Sequence, residues 1–299
     1  MSATTQLPLG VTGVMLPELD FDEQIELCRS LGVTHYVFRP RHVPDGFEDK
    51  PFSIWGKHKF DLTPERLVAE GASLASKLRD AGMVAYGTLP RVHADANDEE
   101  LQLHVNGAAA AGCANLRLTP PAYPQGLFDY PAQLQNTIAH YRRAVEIAAP
   151  RGIKIVIEMH TKTLAASPGL AYNIVGHFDP GQLGLILDLP NFAMEGKPLP
   201  ELAVSVVRPW IDHCHVGGSR TGHGTYDRHG FRQPSSDFCA VTESDLYIPQ
   251  WLAVLAELDR PVPLVIENFV ASMPSVLRLT GTAQALGRVI ERLGQEQAS

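Results

Sequence analysis

Cysteine is scarce and scattered in this sequence. Its four cysteines are Cys28, Cys113, Cys214 and Cys239, and no two of them form a Cys-x-x-Cys pair. A disulfide framework and a cysteine-ligated zinc site are therefore both disfavoured.

Long apolar runs and basic clusters are also lacking. No stretch approaches the roughly 18 apolar residues that span a membrane. The opening residues, MSATTQLPLGVTG, have neither the basic nor the apolar region of a signal peptide. Lys and Arg number 25 against 33 Asp and Glu, a net charge of −8, and no dense basic run offers a surface for a polyanion. We therefore expect a cytoplasmic protein that binds neither a membrane nor nucleic acid.

Apolar, β-branched runs alternate with helical patterns along the chain, which favours a parallel sheet. The predicted strands are Gly10–Leu16, Thr34–Phe38, Val84–Leu89, Asn115–Leu118, Ile153–Met159, Gly184–Leu189, Ile211–Val216 and Leu264–Asn268. Eight strands in 299 residues fit an α/β fold, a single (β/α)8 TIM barrel domain over residues 1–299. An open doubly wound sheet is the rival, weakened because Gly10-Val-Thr-Gly13 does not match the dinucleotide-binding fingerprint.

Helical patterns and three long connections lie between these strands. The clearest helices are predicted at Pro64–Ala81, Glu99–Ala111, Pro131–Ala149, Pro168–His177, Ile248–Leu258 and Ala283–Gly294. The long, irregular connections span residues 39–62, 119–130 and 217–245. Each follows a strand, so we expect all three at the catalytic face of the barrel.

Four successive strands each end in a potential metal ligand. The order is Glu158, Asp188, His215 and Glu267. A single acidic residue at a strand end often caps the next helix, but burying four such groups without partners would be very costly, and a metal ion removes that cost. Three carboxylates and one imidazole suit Mn²⁺, with Mg²⁺ or Co²⁺ as alternatives. Such a site keeps a net negative charge, which suits a neutral polyol that chelates through two oxygens.

The segments IVIEMHTKTLAASP, LGLILDLPNF, WIDHCHVGG and PLVIENF carry a family resemblance. They resemble the fifth to eighth strands of the sugar phosphate isomerase/epimerase superfamily, the xylose-isomerase-like TIM barrels. The resemblance covers most of the chain and is strongest over residues 153–269. It implies that Glu158, Asp188, His215 and Glu267 bind one divalent ion, often Mn²⁺. It also implies that the two glutamates flank the substrate carbon and move protons.

Two departures from the family pattern bear on the substrate. Asn191 stands where the family often has a histidine, and Val216-Gly217-Gly218 stands where it often has Lys-Asp. Both remove polar groups that commonly touch the substrate. The resemblance therefore implies a retained metal centre with a changed substrate, and it does not specifically support a phosphorylated sugar.

Further candidates surround the predicted centre. His160 lies two places after Glu158 and shares its inward phase, so it is a candidate general base or substrate contact. The alternatives are purely structural. His160 would make an orienting hydrogen bond, Trp55 would anchor its loop, and the charged loop residues would be solvated. The candidate substrate-binding residues are Asn191, Arg220, His223, Trp55 and Arg39.

The leading hypothesis is a divalent-metal-dependent isomerase or epimerase of a ketose or related polyol. One glutamate would remove the proton beside the carbonyl and the other would return it to the resulting enediolate. The alternative is a lyase, a dehydratase or 3-keto-glycoside-cleaving enzyme using the same enolate, which an aromatic wall around Trp55 and Phe231 would favour. The third hypothesis is a metal-free binding barrel. An endonuclease-like role is disfavoured, because it needs a basic surface for DNA. The expected partner is a small sugar or sugar derivative; the oligomeric state is open, and a homo-oligomer is compatible.

Overall fold

Eight parallel strands close into a barrel in the computed structural model, which describes residues 6–296. Ten strands lie within the described residues, eight in the barrel and two, β8 and β9, in a separate sheet. They are β1 Leu9–Thr12, β2 His35–Phe38, β3 Val84–Thr88, β4 Asn115–Arg117, β5 Lys154–Glu158, β6 Leu183–Asp188, β7 Ile211–Val216, β8 Gly218–Thr221, β9 Ser236–Cys239 and β10 Leu264–Ile266. The barrel runs from β1 to β7 in chain order and closes through β10, which pairs with both β7 and β1. The predicted single (β/α)8 barrel is confirmed. Its bounds of 1–299 stay a prediction, because residues 1–5 and 297–299, including part of the segment judged not to be a signal peptide, lie outside the described residues.

Helices fill the connections. They are α1 Phe21–Ser30, α2 Pro64–Asp80, α3 Asp98–Ala110, α4 Tyr130–Ala148, α5 Pro168–Val175, α6 Leu189–Met194, α7 Pro200–Val207, α8 Ile248–Ala256 and α9 Ser275–Glu296. The six predicted helices are all present, although α9 begins eight residues before Ala283; α1, α6 and α7 were not among them. None of the helices within residues 6–296 is long and apolar enough to cross a membrane.

Local sequence signals explain where several helices begin and end. The Thr63 hydroxyl accepts a hydrogen bond from the amide of Arg66, so it caps α2 ahead of a proline at the first helical position. Gly82 and Gly112 follow α2 and α3 with φ of 74° and 63°. This left-handed conformation favours glycine, and it turns the chain from each helix into the next strand.

The inside of the barrel is layered along its axis. At the amino-terminal ends of the strands, Asp212 accepts hydrogen bonds from Tyr86 and Asn115 and pairs with Lys154 at 3.1 Å. A register shift between β6 and β7 pairs Ile186 with His213 rather than Asp212, so the bulge accommodates Asp212 within this network. An apolar layer lies above it, formed by Val37, Leu89, Val156, Ile186 and Val265. The barrel is therefore packed, and the space for a ligand lies beyond its carboxyl-terminal end.

The long connections leave the carboxyl-terminal ends of β2, β4 and β7. Residues 39–62 and 119–130 are largely without regular structure. Residues 217–245 contain the antiparallel pair β8 and β9, an ordered hairpin that the sequence pattern did not predict. This hairpin brings side chains from far along the chain to the mouth of the barrel.

Candidate metal centre

Three carboxylates and one imidazole meet at the carboxyl-terminal end of the barrel. Glu158 and Asp188 are the last residues of β5 and β6, His215 is the penultimate residue of β7, and Glu267 directly follows β10. All four are buried, with at most 5% of each residue exposed. One potential ligand atom from each lies within 4.8 Å of the others. We call these four residues the acidic cluster.

The three carboxylates converge on the same nitrogen atom. His215 Nδ1 lies 3.4 Å from Glu158 Oε1, 3.3 Å from Asp188 Oδ2 and 3.3 Å from Glu267 Oε2. A single N–H proton cannot serve three acceptors equally, and Glu267 Oε1 is buried without a hydrogen-bond partner. A divalent cation would satisfy these oxygens and the nitrogen together, so the donor set fits a hard metal ion.

The pKa values of the four groups in the acidic cluster shift in different directions. Burial alone would lower the pKa of His215, but the carboxylates around it outweigh burial and raise the pKa to about 10. Burial raises the pKa of Asp188 and of Glu267. Burial acts in the same sense on Glu158, but the adjacent Arg117 and His215 outweigh it and hold its pKa well below the ordinary value.

Backbone and side-chain contacts fix two of these carboxylates. Asp188 also caps α6, because its Oδ1 accepts a hydrogen bond of 2.7 Å from the amide of Asn191. Glu158 Oε2 pairs with Arg117 Nη2 at 2.7 Å, and Arg117 is anchored in turn on the carbonyl of Pro90 and the hydroxyl of Thr119. Each carboxylate keeps its second oxygen toward His215.

A cavity of about 270 Å³ lies over the acidic cluster. Its lining also includes Arg39, Trp55, Arg91, Arg117, His160, Thr161, Pro190, Asn191, Met194, Phe238 and Phe269. The three arginines lie directly after β2, in the loop after β3 and at the end of β4, on the opposite half of the barrel from most of the cluster. The expected net negative charge refers to a metal ion and its three carboxylates, and the suitability for a neutral polyol stays a prediction. Three guanidinium groups line the same cavity.

The family model of the xylose isomerase-like TIM barrel matches residues 45–289. This chain belongs to that family. No curated protein sequence matches the chain.

Solved structures of low sequence identity share this fold. A xylose isomerase-like TIM barrel protein from Mycobacterium smegmatis in complex with magnesium is 17% identical, with a TM-score of 0.65 and coverage of 99% of each chain. D-allulose 3-epimerase from Methylomonas sp. is 13% identical, with a TM-score of 0.67 and coverage of 97% of this chain and 100% of that one. The probable 3-DHS dehydratase AsbF from Bacillus anthracis is 13% identical, with a TM-score of 0.68 and coverage of 94% and 99%. At these identities the likeness shows the fold alone.

Four of the predicted site residues outside the acidic cluster line the cavity of this xylose isomerase-like barrel. They are His160, Asn191, Trp55 and Arg39. The side-chain oxygen of Asn191 accepts a hydrogen bond of 3.2 Å from the amide of Thr161, so Asn191 also ties the loop after β5 to α6. His160 is exposed at the rim.

Two predicted substrate contacts lie elsewhere. Arg220 and His223 are exposed on the β8–β9 hairpin and are absent from the described lining of the cavity. Arg220 pairs with Glu243 at 3.3 Å. Phe231, expected beside Trp55, is 73% exposed and also lies outside the lining.

The aromatic wall of the cavity comes from three separate segments. Trp55 packs on Phe269 with ring centroids 4.9 Å apart, and Phe238 of β9 meets Phe269 at 5.4 Å. Sequence reasoning missed Phe238 and Phe269, since nothing in the pattern places the hairpin over β10. It also missed Arg117, although applying the strand-end rule to β4 would have found it.

Proposed function

We propose that this protein is a divalent-metal-dependent isomerase or epimerase that acts on a ketose or a related polyhydroxy carbonyl compound through an enediolate. The observation that carries the proposal is the convergence of three buried carboxylates on His215 Nδ1 at the floor of a cavity. The fold shared with D-allulose 3-epimerase supports it.

The acidic cluster would hold the metal ion, with Mn²⁺ proposed; the relative with bound magnesium supports Mg²⁺ as the alternative. When bound, the ion would polarise the substrate carbonyl and stabilise the negative charge of the enediolate. Asp188 caps α6 and His215 is enclosed by carboxylates, so both are proposed to serve as metal ligands only. The two glutamates remain for acid–base chemistry.

The two glutamates have different surroundings and are proposed to take different tasks. Arg117 and His215 keep Glu158 ionised, so Glu158 is suited to remove the proton beside the carbonyl. Burial raises the pKa of Glu267 in the metal-free protein. As the second glutamate of the acidic cluster, Glu267 is proposed to return the proton. His160, at the rim, stays a candidate for a further proton transfer.

Deuterium exchange tests the proposal. Mn²⁺-loaded protein incubated in D₂O with neutral ketoses and their uronate counterparts should put deuterium on the carbon next to the carbonyl, and chelator-treated protein should not. Glu267→Gln should slow exchange about 100-fold or more, because it removes a carboxylate of the proposed metal site as well as the group proposed to return the proton. Glu257→Gln, an exposed site on the outer surface, is the matched control and should exchange as the native protein does. No exchange across the panel in metal-replete protein would contradict the proposal.

A lyase is the second candidate, and the aromatic wall of Trp55, Phe238 and Phe269 favours it. The same enolate can expel a β-leaving group, and the shared fold of the probable 3-DHS dehydratase AsbF supports this reading. Mass spectrometry of the products separates the two: an isomerase or epimerase conserves substrate mass, whereas a dehydratase product lacks one water.

We also propose that the protein works in the cytoplasm on a small sugar-derived molecule. The four cysteine thiols are all free and buried, as is typical of proteins from reducing compartments.

A further inference from the structure

One side of the cavity carries three guanidinium groups. Arg39 directly follows β2, Arg91 lies in the loop after β3, and Arg117 is the last residue of β4. These strands are consecutive in the barrel, so the positive groups form one side of the mouth. The acidic cluster occupies the strands from β5 onward, so one side of the cavity carries guanidinium groups and the other side carries carboxylates.

Arg39 lies in this cavity and makes no ion pair or hydrogen bond among the described residues. Its Nε is buried and makes no hydrogen bond, and among the described contacts its guanidinium meets only the Trp55 ring, 5.3 Å from the ring centroid. Burial lowers the pKa of Arg39 to about 10, while nearby Glu267 acts in the opposite sense, so the group is positively charged near neutral pH. Arg39 is half-buried, and a guanidinium whose buried Nε lacks a hydrogen-bond acceptor calls for an anion.

Arg117 and Arg91 differ in the contacts that they already make. Arg117 is already held by Glu158, Pro90 and Thr119. Arg91 is exposed at the rim and has no ion pair or hydrogen bond among the described residues. Because the three guanidinium groups balance the three carboxylates, a bound divalent ion would leave the cavity with excess positive charge.

We infer that the substrate is an acid, a keto-sugar acid whose carboxylate binds Arg39 and Arg91 while its carbonyl end lies over the acidic cluster. A planar guanidinium matches a carboxylate in a two-point contact, and a charge-assisted contact of this kind is strong when solvent is excluded. The inference rests on the proposed function for the orientation of the carbonyl. Its charge argument depends only on the arginines.

Binding measurements with a matched pair of ligands test this inference. D-Fructuronate and D-fructose differ only in a terminal carboxylate in place of a CH₂OH group. Calorimetric titration of Mn²⁺-loaded protein should show D-fructuronate binding about tenfold or more tightly than D-fructose. D-Fructose 6-phosphate is the third ligand in the titration, and it presents a phosphate to the same arginines.

Three variants assign the effect to residues. Arg39→Met should abolish the preference for D-fructuronate, and Arg91→Met should reduce it. Arg91 is exposed, so its variant keeps the test decisive even if replacing Arg39 impairs folding. Arg79→Met, on the outer face of α2, is the matched control and should keep the native preference.

The outcomes separate this inference from the proposed function. Equal affinity for D-fructuronate and D-fructose, or a preference that survives both cavity variants, would overturn the inference and leave the deuterium-exchange test untouched. Tighter, arginine-dependent binding of D-fructose 6-phosphate than of D-fructuronate would overturn the assignment of a carboxylate. Arginine-dependent binding of D-fructuronate without exchange of any substrate would support the inference and contradict the proposed isomerase.

Discussion

Glu158 and Glu267 share a residue type and a partner atom, yet their environments differ. Arg117 pairs with Glu158 at 2.7 Å, whereas Glu267 has one buried oxygen without a hydrogen-bond partner. The pKa of Glu158 is therefore lowered and that of Glu267 is raised. A single arginine at the end of β4 thus gives the two glutamates different surroundings in the metal-free protein.

The charge state of His215 predicts a pH-dependent metal affinity. The surrounding carboxylates raise its pKa in the folded, metal-free protein to about 10 against an ordinary value of 6.5. Its protonated form therefore stabilises the fold fully below about pH 6.5, and this contribution is lost as pH rises through about 10. A metal ion needs the neutral ring, so binding near pH 8 should release a proton and tighten by up to about tenfold per pH unit.

Calorimetry in two buffers of different ionisation enthalpy counts that proton. We expect about one proton released per Mn²⁺ bound at pH 8. His177→Gln, a surface histidine variant, should give the same count. Binding with no proton release and no pH dependence between pH 7 and 9 would contradict this assignment.

At the scale of elements, the backbone that directly follows β7 packs against the end of β10. A Cβ on Gly217 would lie 2.2 Å from the carbonyl oxygen of Glu267, and a Cβ on Gly218 would lie 2.4 Å from the carbonyl oxygens of Cys239 and Ala240. Gly217 therefore lets the chain after β7 pack against the end of β10 at backbone distance, and Gly218 allows the same close approach between β8 and β9. The Gly-Gly pair, which departs from the family pattern, has a structural reason here.

Gly217→Ala should displace Glu267 and weaken the centre. We expect a loss of about 1–3 kcal/mol in the free energy of unfolding, since the overlap is with backbone atoms. We also expect the Kd for Mn²⁺ to rise about tenfold or more, because one ligand moves. Gly281→Ala, in α9 with no atom near the added Cβ, is the control and should be neutral or stabilising by up to about 1 kcal/mol. Thermal melting and metal titration check both, and native-like metal affinity in Gly217→Ala would contradict the account.

Strand ends were predictable from the sequence, whereas contacts between distant segments were not. The acidic cluster follows from ligands at the ends of apolar runs, because adjacent parallel strands end at one face. Phe238 reaches the cavity through the hairpin, and Asp212 joins the interior network through a register shift. Both depend on backbone pairing that alternating hydrophobicity does not encode. Arg220 and His223 were placed on the right face, but the hairpin carries them outside the cavity lining.

In the whole molecule, the internal contacts that stabilise the barrel and the candidate metal site lie at different levels along the barrel axis. The Asp212 network occupies the amino-terminal end, an apolar layer fills the middle, and the acidic cluster lies at the other end. Across the mouth, positive groups from β2 to β4 face negative groups from β5 onward. A rigid barrel of this kind can hold a metal ion on one side and orient an anionic ligand from the other.

Metal stoichiometry tests the central claim most directly. The native chain, loaded with Mn²⁺ and desalted, should retain about one ion per chain by elemental mass spectrometry. Asp188→Asn keeps a group able to cap α6 but removes a ligand charge, so it should lose most of the bound metal. Asp179→Asn replaces an exposed aspartate that accepts a hydrogen bond from Gly181, and it should bind as the native chain does. A native chain that retains no ion, or an Asp188→Asn chain that retains a full complement, would contradict the account.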